Sequence, residues 1–218
     1  MIDLIPVTGI ILKAEPIGEY DRRVVILTKE RGKISAFAKG ARKQTSTLLA
    51  ATAPFSFGVF KIYEGRNSYT LSEAKIENYF EEFRTAMQEA FYGMYFLEIA
   101  DYYTRENNDE KEMLKLLYAS LSALLKGRWS PAFVRCVFEL KAIAVNGEYP
   151  GAPEGNWNES TIYALNFIGE TPVENLYTFT VKDEVLDEMI KISETYCKRY
   201  MDKKFKSVAL LEDVRYNI

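Results

Sequence analysis

A chain of 218 residues with 48% hydrophobic side chains has room for one large domain or two to three small ones. It contains no histidine, which removes Ser-His-Asp and Cys-His catalysis, His-ligated metals and an imidazole proton shuttle together. The net charge of −3 hides an uneven split: residues 1–70 hold 11 basic and 6 acidic side chains, residues 71–218 hold 17 and 25, the pattern of a basic module that faces an acidic partner.

The first 76 residues read as short strands. Residues 7–14, 22–28, 33–38, 55–63 and 69–76 are rich in β-branched and aromatic side chains. Turn chemistry separates them at Pro16-Ile17-Gly18, Glu30-Arg31-Gly32, Gly40, Ala53-Pro54 and Gly65-Arg66-Asn67. Five short strands in so few residues predict a small closed barrel, and the OB-fold is the commonest such solution. On the third strand Ile34, Ala36 and Ala38 alternate with Lys33, Ser35, Phe37 and Lys39. The first set suits a barrel interior; the second alternates cation and ring, as phosphate and base would require.

Between Arg22 and Lys43 stand eight cations, Arg22, Arg23, Lys29, Arg31, Lys33, Lys39, Arg42 and Lys43, against the single acid Glu30. A basic, ring-bearing sheet edge is suited to single-stranded nucleic acid, with Phe37 and Tyr20 as candidate stacking rings.

From about Phe83 the apolar period becomes helical. Phe83, Met87, Ala90, Met94, Leu97 and Asp101 define one face of a first helix, widened by Phe91, Tyr95 and Tyr102. Met113, Leu116, Leu117, Leu121, Leu124 and Leu125 make a second that stops at Gly127. Ser130 as cap and Pro131 at the first position open a third, which ends at Gly147. A fourth starts at about Asp183, and residues 148–160 between them read as loop. The expected architecture is α+β and multidomain: an OB-fold nucleic-acid-binding β-barrel over residues 1–80, then an α-helical bundle over 81–218 with a loop-rich insertion at about 148–180.

Cys136 and Cys197 are 61 positions apart with no C-x-x-C pair, too few thiolates for a zinc site, and read as buried thiols. No metal and no cofactor is expected. The N-terminus lacks the basic and apolar regions of a signal peptide, and no apolar run approaches the ~20 residues of a membrane span. A soluble, cytoplasmic, nucleoid-associated protein without membrane contact follows as the expectation. The C-terminal cations Lys198, Arg199, Lys203, Lys204 and Lys206 either extend the nucleic-acid surface or complement a helix dipole. The carboxylates Glu81, Glu82, Asp109, Glu110 and Glu112 stand near helix starts, and no phosphate-binding Gly-rich loop is present.

The run from Thr8 to Lys43 resembles the N-terminal domain of the RecO family of bacterial recombination-repair mediators. The elements that carry the resemblance are Gly9-Ile10-Ile11-Leu12, Gly18-Glu19-Tyr20-Asp21, Leu27-Thr28-Lys29-Glu30-Arg31-Gly32-Lys33 and Ala38-Lys39-Gly40-Ala41-Arg42. It continues through Phe138-Glu139-Leu140 and Gly147-Glu148-Tyr149-Pro150 to Phe205-Lys206-Ser207. The resemblance implies a non-enzymatic DNA repair and recombination mediator that responds to DNA damage. Such a protein binds single-stranded DNA, anneals complementary strands, and works with RecR to load RecA on strands covered by single-strand-binding protein. It also implies binding of that protein's acidic tail by the helical domain, for which Lys126, Arg128, Arg135 and Lys141 are candidates. Many members carry a four-cysteine zinc module after the Gly-x-Tyr-Pro element. Here Gly155 and Asn158 stand where the first pair would fall, so the 148–180 segment is expected to replace that module without metal. An OB-fold RNA-binding adaptor, a scaffold without annealing activity, and a nuclease that uses the acidic helices remain alternative readings.

Overall fold

The computed structural model describes residues 3–66 and 68–208. Five strands, β1 (Ile5–Ile17), β2 (Asp21–Thr28), β3 (Gly32–Ala38), β4 (Phe57–Glu64) and β5 (Tyr69–Asn78), close into a barrel in the order β1-β2-β3-β5-β4. All pairs are antiparallel except β3 with β5. The expected OB-fold barrel is therefore present, with β4 opening at Phe57 rather than Phe55, which sits at a left-handed φ of 74°.

Strand alternation fills the interior. Val7, Ile11, Val24, Ile26, Ile34, Ala36, Phe60, Ile62 and Leu71 are buried together; on the other face Ile10, Leu12 and Leu27 are buried too, while Arg23, Phe37 and Lys61 are exposed. Gly9 and Gly58 pair across β1 and β4. A Cβ on Gly9 would run into the Leu27 carbonyl and one on Gly58 into the Lys75 carbonyl, so the bare backbone is what lets four strands approach here. A one-turn helix, α1 (Leu48–Ala51), lies between β3 and β4 and was absent from the expected elements. It is too short to carry a helical period.

The chain divides into two compact units, Met1–Glu82 with Ala100–Leu114, and Phe83–Ile99 with Lys115 onward. The barrel unit thus takes in a segment well beyond residue 80.

The helical elements are α2 (Met87–Tyr103), α3 (Lys111–Leu125), α4 (Pro131–Val145), α5 (Glu159–Glu170) and α6 (Asp183–Tyr200). In α4 the Ser130 hydroxyl accepts the Phe133 amide at 3.2 Å, as its sequence position implied. Ten α4 residues from Phe133 to Ile143 are buried, α4 packs on α5 and α6, and Phe138 stacks on Phe96 at 4.1 Å.

Two elements differ from expectation. The buried positions of α2 are Tyr92, Tyr95, Phe96, Leu97, Ile99 and Ala100, while Met87 is 67% and Met94 38% exposed. This helix is apolar nearly all round, so sequence period alone could not select the buried stripe. The insertion expected to be loop-rich at about 148–180 includes a helix that the sequence reading did not list. Asn158 caps α5 by accepting the Ser160 amide, and Thr161, Ala164, Leu165 and Ile168 bury one helical face.

Among the described residues no helix is long and apolar enough to cross a membrane.

Candidate nucleic-acid interface

Strand register decides which of the eight cations face a ligand. Arg23 on β2 pairs with Phe37 on β3, Phe37 pairs with Thr70 on β5, and Thr70 pairs with Tyr63 on β4. Directly paired residues project to the same side of a sheet, so these four form one outward row across four strands. Phe37 is 38% exposed, and the Arg23 Nε donates to Ser35 Oγ at 2.9 Å, which fixes the guanidinium beside the ring. At this row lies a cleft of about 410 Å³, lined by Arg23, Phe37, Glu64, Arg66, Tyr69 and Glu106 among others.

The floor of the cleft is a polar network. The Arg31 Nη1 donates to Glu64 Oε2 and to Tyr69 Oη, both at 3.2 Å, and the guanidinium lies 5.7 Å from the Tyr69 ring centre. Burial, and then the neighbouring Glu106 carboxylate, raise the Tyr69 phenol above its ordinary value. Glu106 is brought in by the segment that follows α2. Gly32 bridges to Glu106, the Lys33 amide donates to the Arg105 carbonyl at 3.0 Å, and the Asn107 amide donates to the Arg31 carbonyl at 2.9 Å. Gly32 makes this possible: its φ is 64°, and a Cβ there would strike the Arg105 carbonyl.

The cluster of cations therefore separates into two kinds. Arg22 is a tether, with Nη1 on the Leu49 carbonyl and on Thr52 Oγ1, each at 2.7 Å. Lys33 is another, its ammonium 2.9 Å from Asp101 Oδ1. Arg31 is held in the network just described. These three were expected on the binding face; instead Arg31 and Lys33 are ion-paired and Arg22 is engaged by neutral acceptors, all within the barrel unit. Arg23, Lys29, Lys39, Arg42 and Lys43 are exposed. Arg42 Nη1 donates to the Gly18 carbonyl at 3.1 Å, and the Lys43 ammonium sits 5.4 Å from the ring centre of Tyr20, itself 46% exposed. Lys29 lies at the far end of β2 from Arg42 and Lys43, roughly 20 Å along the strand. Tyr63, Glu64, Arg66, Thr70 and Glu106 were missed. A cation at the tip of a recognised turn marked Arg66 in the sequence, whereas nothing local marked Glu106.

In the helical unit a second cleft, about 380 Å³, is lined by Tyr95, Arg135, Lys198, Lys203, Lys204 and Phe205, with Glu194 also on its wall. It joins one member of the expected peptide-binding set, Arg135, to three of the C-terminal cations. The others lie apart from it. Lys126 and Arg128 are exposed, with Arg128 over the Trp129 ring at 4.9 Å, Arg199 lies over Tyr200 at 5.4 Å, and Lys206 is exposed. Lys141 is buried: its ammonium donates to the Gly169 carbonyl at 2.9 Å and the Thr171 carbonyl at 2.7 Å, so it offers no surface charge.

Beneath the cleft, the buried Glu139 carboxylate accepts from Tyr95 Oη at 2.8 Å, Arg135 Nε at 2.7 Å and Ser193 Oγ at 2.7 Å.

The zinc-ligand positions do not suit a metal. Gly155 has no donor atom, Asn158 is engaged as the α5 cap, and Cys136 is a buried thiol whose pKa burial pushes up. No group of three or more His, Cys, Asp or Glu able to hold a metal ion occurs among the described residues.

Residues 1–80 match the family model described as Recombination protein O N terminal, and residues 84–154 and 151–209 match that described as Recombination protein O C terminal. A DNA repair protein RecO of Acetivibrio thermocellus is 27% identical over 238 aligned residues, covering 94% of this chain and 95% of the relative. One from Clostridium perfringens strain 13 is 27% identical, covering 97% of this chain and 99% of the relative. One from Alkaliphilus metalliredigens is 34% identical over 147 residues, 67% of this chain and 60% of the relative. With both family models matched in order along the barrel and the helices, the chain belongs to the RecO family of DNA repair proteins.

Proposed function

We propose that this chain binds single-stranded DNA on the outer face of its barrel and acts as a non-enzymatic recombination mediator. The observation that carries the reading is the row Arg23–Phe37–Thr70–Tyr63, with exposed Lys39, Arg42 and Lys43 toward the end of β3. Exposed cations take phosphates, and rings at the same level stack bases without regard to sequence. Neutralising phosphates on two complementary strands removes much of their repulsion, which favours annealing. By family membership, the partners would be RecR, RecA and single-strand-binding protein, with recombinase loading in the cytoplasm at the nucleoid. The cleft of Arg135, Lys198, Lys203, Lys204 and Phe205 suits an acidic tail that ends in an apolar side chain, which is the chemistry of the proposed single-strand-binding-protein contact.

The test is a salt titration of binding to a fluorescent single-stranded oligonucleotide, comparing the native chain with one in which Arg23, Lys39, Arg42 and Lys43 are each changed to Ala. For single strands log K falls with log salt by about 0.7 per neutralised phosphate. The expected result is a steep native slope and a variant that loses both affinity and most of the slope. Equal binding by the two proteins, or none by the native chain, removes the barrel face as the DNA site.

A further inference from the structure

The Arg23–Phe37 cleft contains two carboxylates, Glu64 and Glu106, which a surface built only for phosphate would exclude. Both are exposed at the cleft. Glu64 leans on Arg31 through Oε2, at 3.2 Å, while 57% of its side chain remains accessible. Glu106 stands on the wall of the same cleft, with lone pairs on both of its oxygens. An ionised carboxylate accepts hydrogen bonds and donates none, so a ligand group that meets it must be a donor. Among the parts of a nucleotide, phosphate and ring carbonyls are acceptors, and the exocyclic amines of cytosine, adenine and guanine are donors.

Resting on the single-strand reading above, we propose that this cleft takes one unstacked base and discriminates by its edge: the base lies against Phe37, its amino group donates to Glu64 or Glu106, and Arg23 and Arg66 hold the flanking phosphates. Amino-bearing bases are preferred over thymine. Thymine presents carbonyls on both sides of its one ring N–H, and those oxygens would face the carboxylates. Guanine, with parallel N1–H and N2–H donors, matches a carboxylate in two bonds. Arg31 holds Glu64 at 3.2 Å, so that acid is oriented before a base arrives.

The experiment compares oligo(dC) with oligo(dT) of equal length on the full chain by fluorescence anisotropy. These are both pyrimidines, and they differ at the edge that matters, an amine in one and a carbonyl in the other. A second comparison uses Glu64→Gln and Glu106→Gln, separately and together; Gln keeps the shape and can donate as well as accept. The expected native result is about fivefold tighter binding of oligo(dC), in line with the ~1–3 kcal/mol of a good edge contact. In the double variant that ratio falls to near one while affinity for oligo(dT) rises, because two negative charges leave the DNA face. Equal binding of both oligonucleotides by the native chain, with a steep salt slope, overturns the edge-reading proposal and leaves single-strand binding intact. Undiminished preference in the double variant also overturns it. Failure to bind either oligonucleotide removes the single-strand reading and this proposal with it.

Discussion

Arg135 shows how one side chain can serve both a core and a surface. Burial works against its charge, but the Glu139 carboxylate at 2.7 Å, with Tyr95 and Cys197 adding to it, raises the guanidinium above its ordinary value. Glu139 is satisfied in turn by Tyr95 and Ser193, which is the condition under which a buried ion pair is tolerated. Arg135 is therefore an orienting wall of the helical cleft, and the exchangeable charge is that of Lys203 and Lys204, both exposed. Changing both lysines to Glu should weaken binding of an acidic peptide with a C-terminal Phe at least tenfold, measured by anisotropy at low salt, with urea unfolding unchanged. Repulsion from two reversed charges at a surface supports a change of that order. Unchanged peptide affinity would place the tail elsewhere. Arg135→Ala is not an equivalent test, since it leaves Glu139 buried without its cation.

At the scale of elements, the tether from β2 to α1 runs through Arg22. Its guanidinium meets the Leu49 carbonyl and Thr52 Oγ1, and Thr52 itself donates to Leu48. Arg22→Ala removes two charge-assisted bonds and should lower stability by about 1.5–3 kcal/mol, read as a lower urea midpoint. The salt slope of DNA binding should stay as it was. A slope reduced by about 0.7 at unchanged stability would instead make Arg22 a phosphate contact.

Arg22 also marks the limit of reading charge from sequence. Strand period correctly separated Ile34, Ala36 and Ala38 from Ser35 and Phe37, because alternation is a local property. Period cannot say which cations will be engaged by the rest of the fold, because the partners of Arg22, Arg31 and Lys33 lie 27 to 68 positions away. The same holds for Glu106, which reaches the cleft only because Gly32 admits a distant backbone. The omission of α5 is different in kind. Thr161, Ala164, Leu165 and Ile168 follow a helical period that the Gly- and Pro-rich run before them obscured. In α2 the reverse occurred: apolar residues on every side left several equally good stripes, and tertiary packing chose one that includes neither Met87 nor Met94.

Across the whole molecule, the titratable groups most altered by burial are concentrated in the helical unit. Burial is the first cause in each case: it raises the thiols of Cys136 and Cys197 and the phenols of Tyr95, Tyr149 and Tyr177, and the Glu139 carboxylate adds to the effect on Cys136, Cys197 and Tyr95. Their unfolded values are near the ordinary 9.0 for thiols and 10.0 for phenols. A group whose folded pKa is raised contributes its full stability below the unfolded value and loses it as pH climbs toward the folded one. Stability should therefore be flat to about pH 8, decline from about pH 9 as the unfolded thiols ionise, and steepen past pH 10 with the phenols; each group adds up to ~1.4 kcal/mol per pH unit. Both tryptophans, Trp129 and Trp157, lie in this unit, so urea unfolding followed by tryptophan fluorescence reports on it selectively. Cys136→Ala or Cys197→Ala should make the decline shallower from about pH 8.5 upward, by up to ~1.4 kcal/mol per pH unit, while leaving the further steepening past pH 10 in place. A urea midpoint constant through pH 10.5 would contradict the burial of these groups. In the barrel unit, by contrast, there is no thiol, and the raised phenols are the buried Tyr69 and the exposed Tyr20. A probe of the barrel such as DNA binding at fixed salt should consequently persist to higher pH than the tryptophan signal, and the order of the two losses tells which unit gives way first.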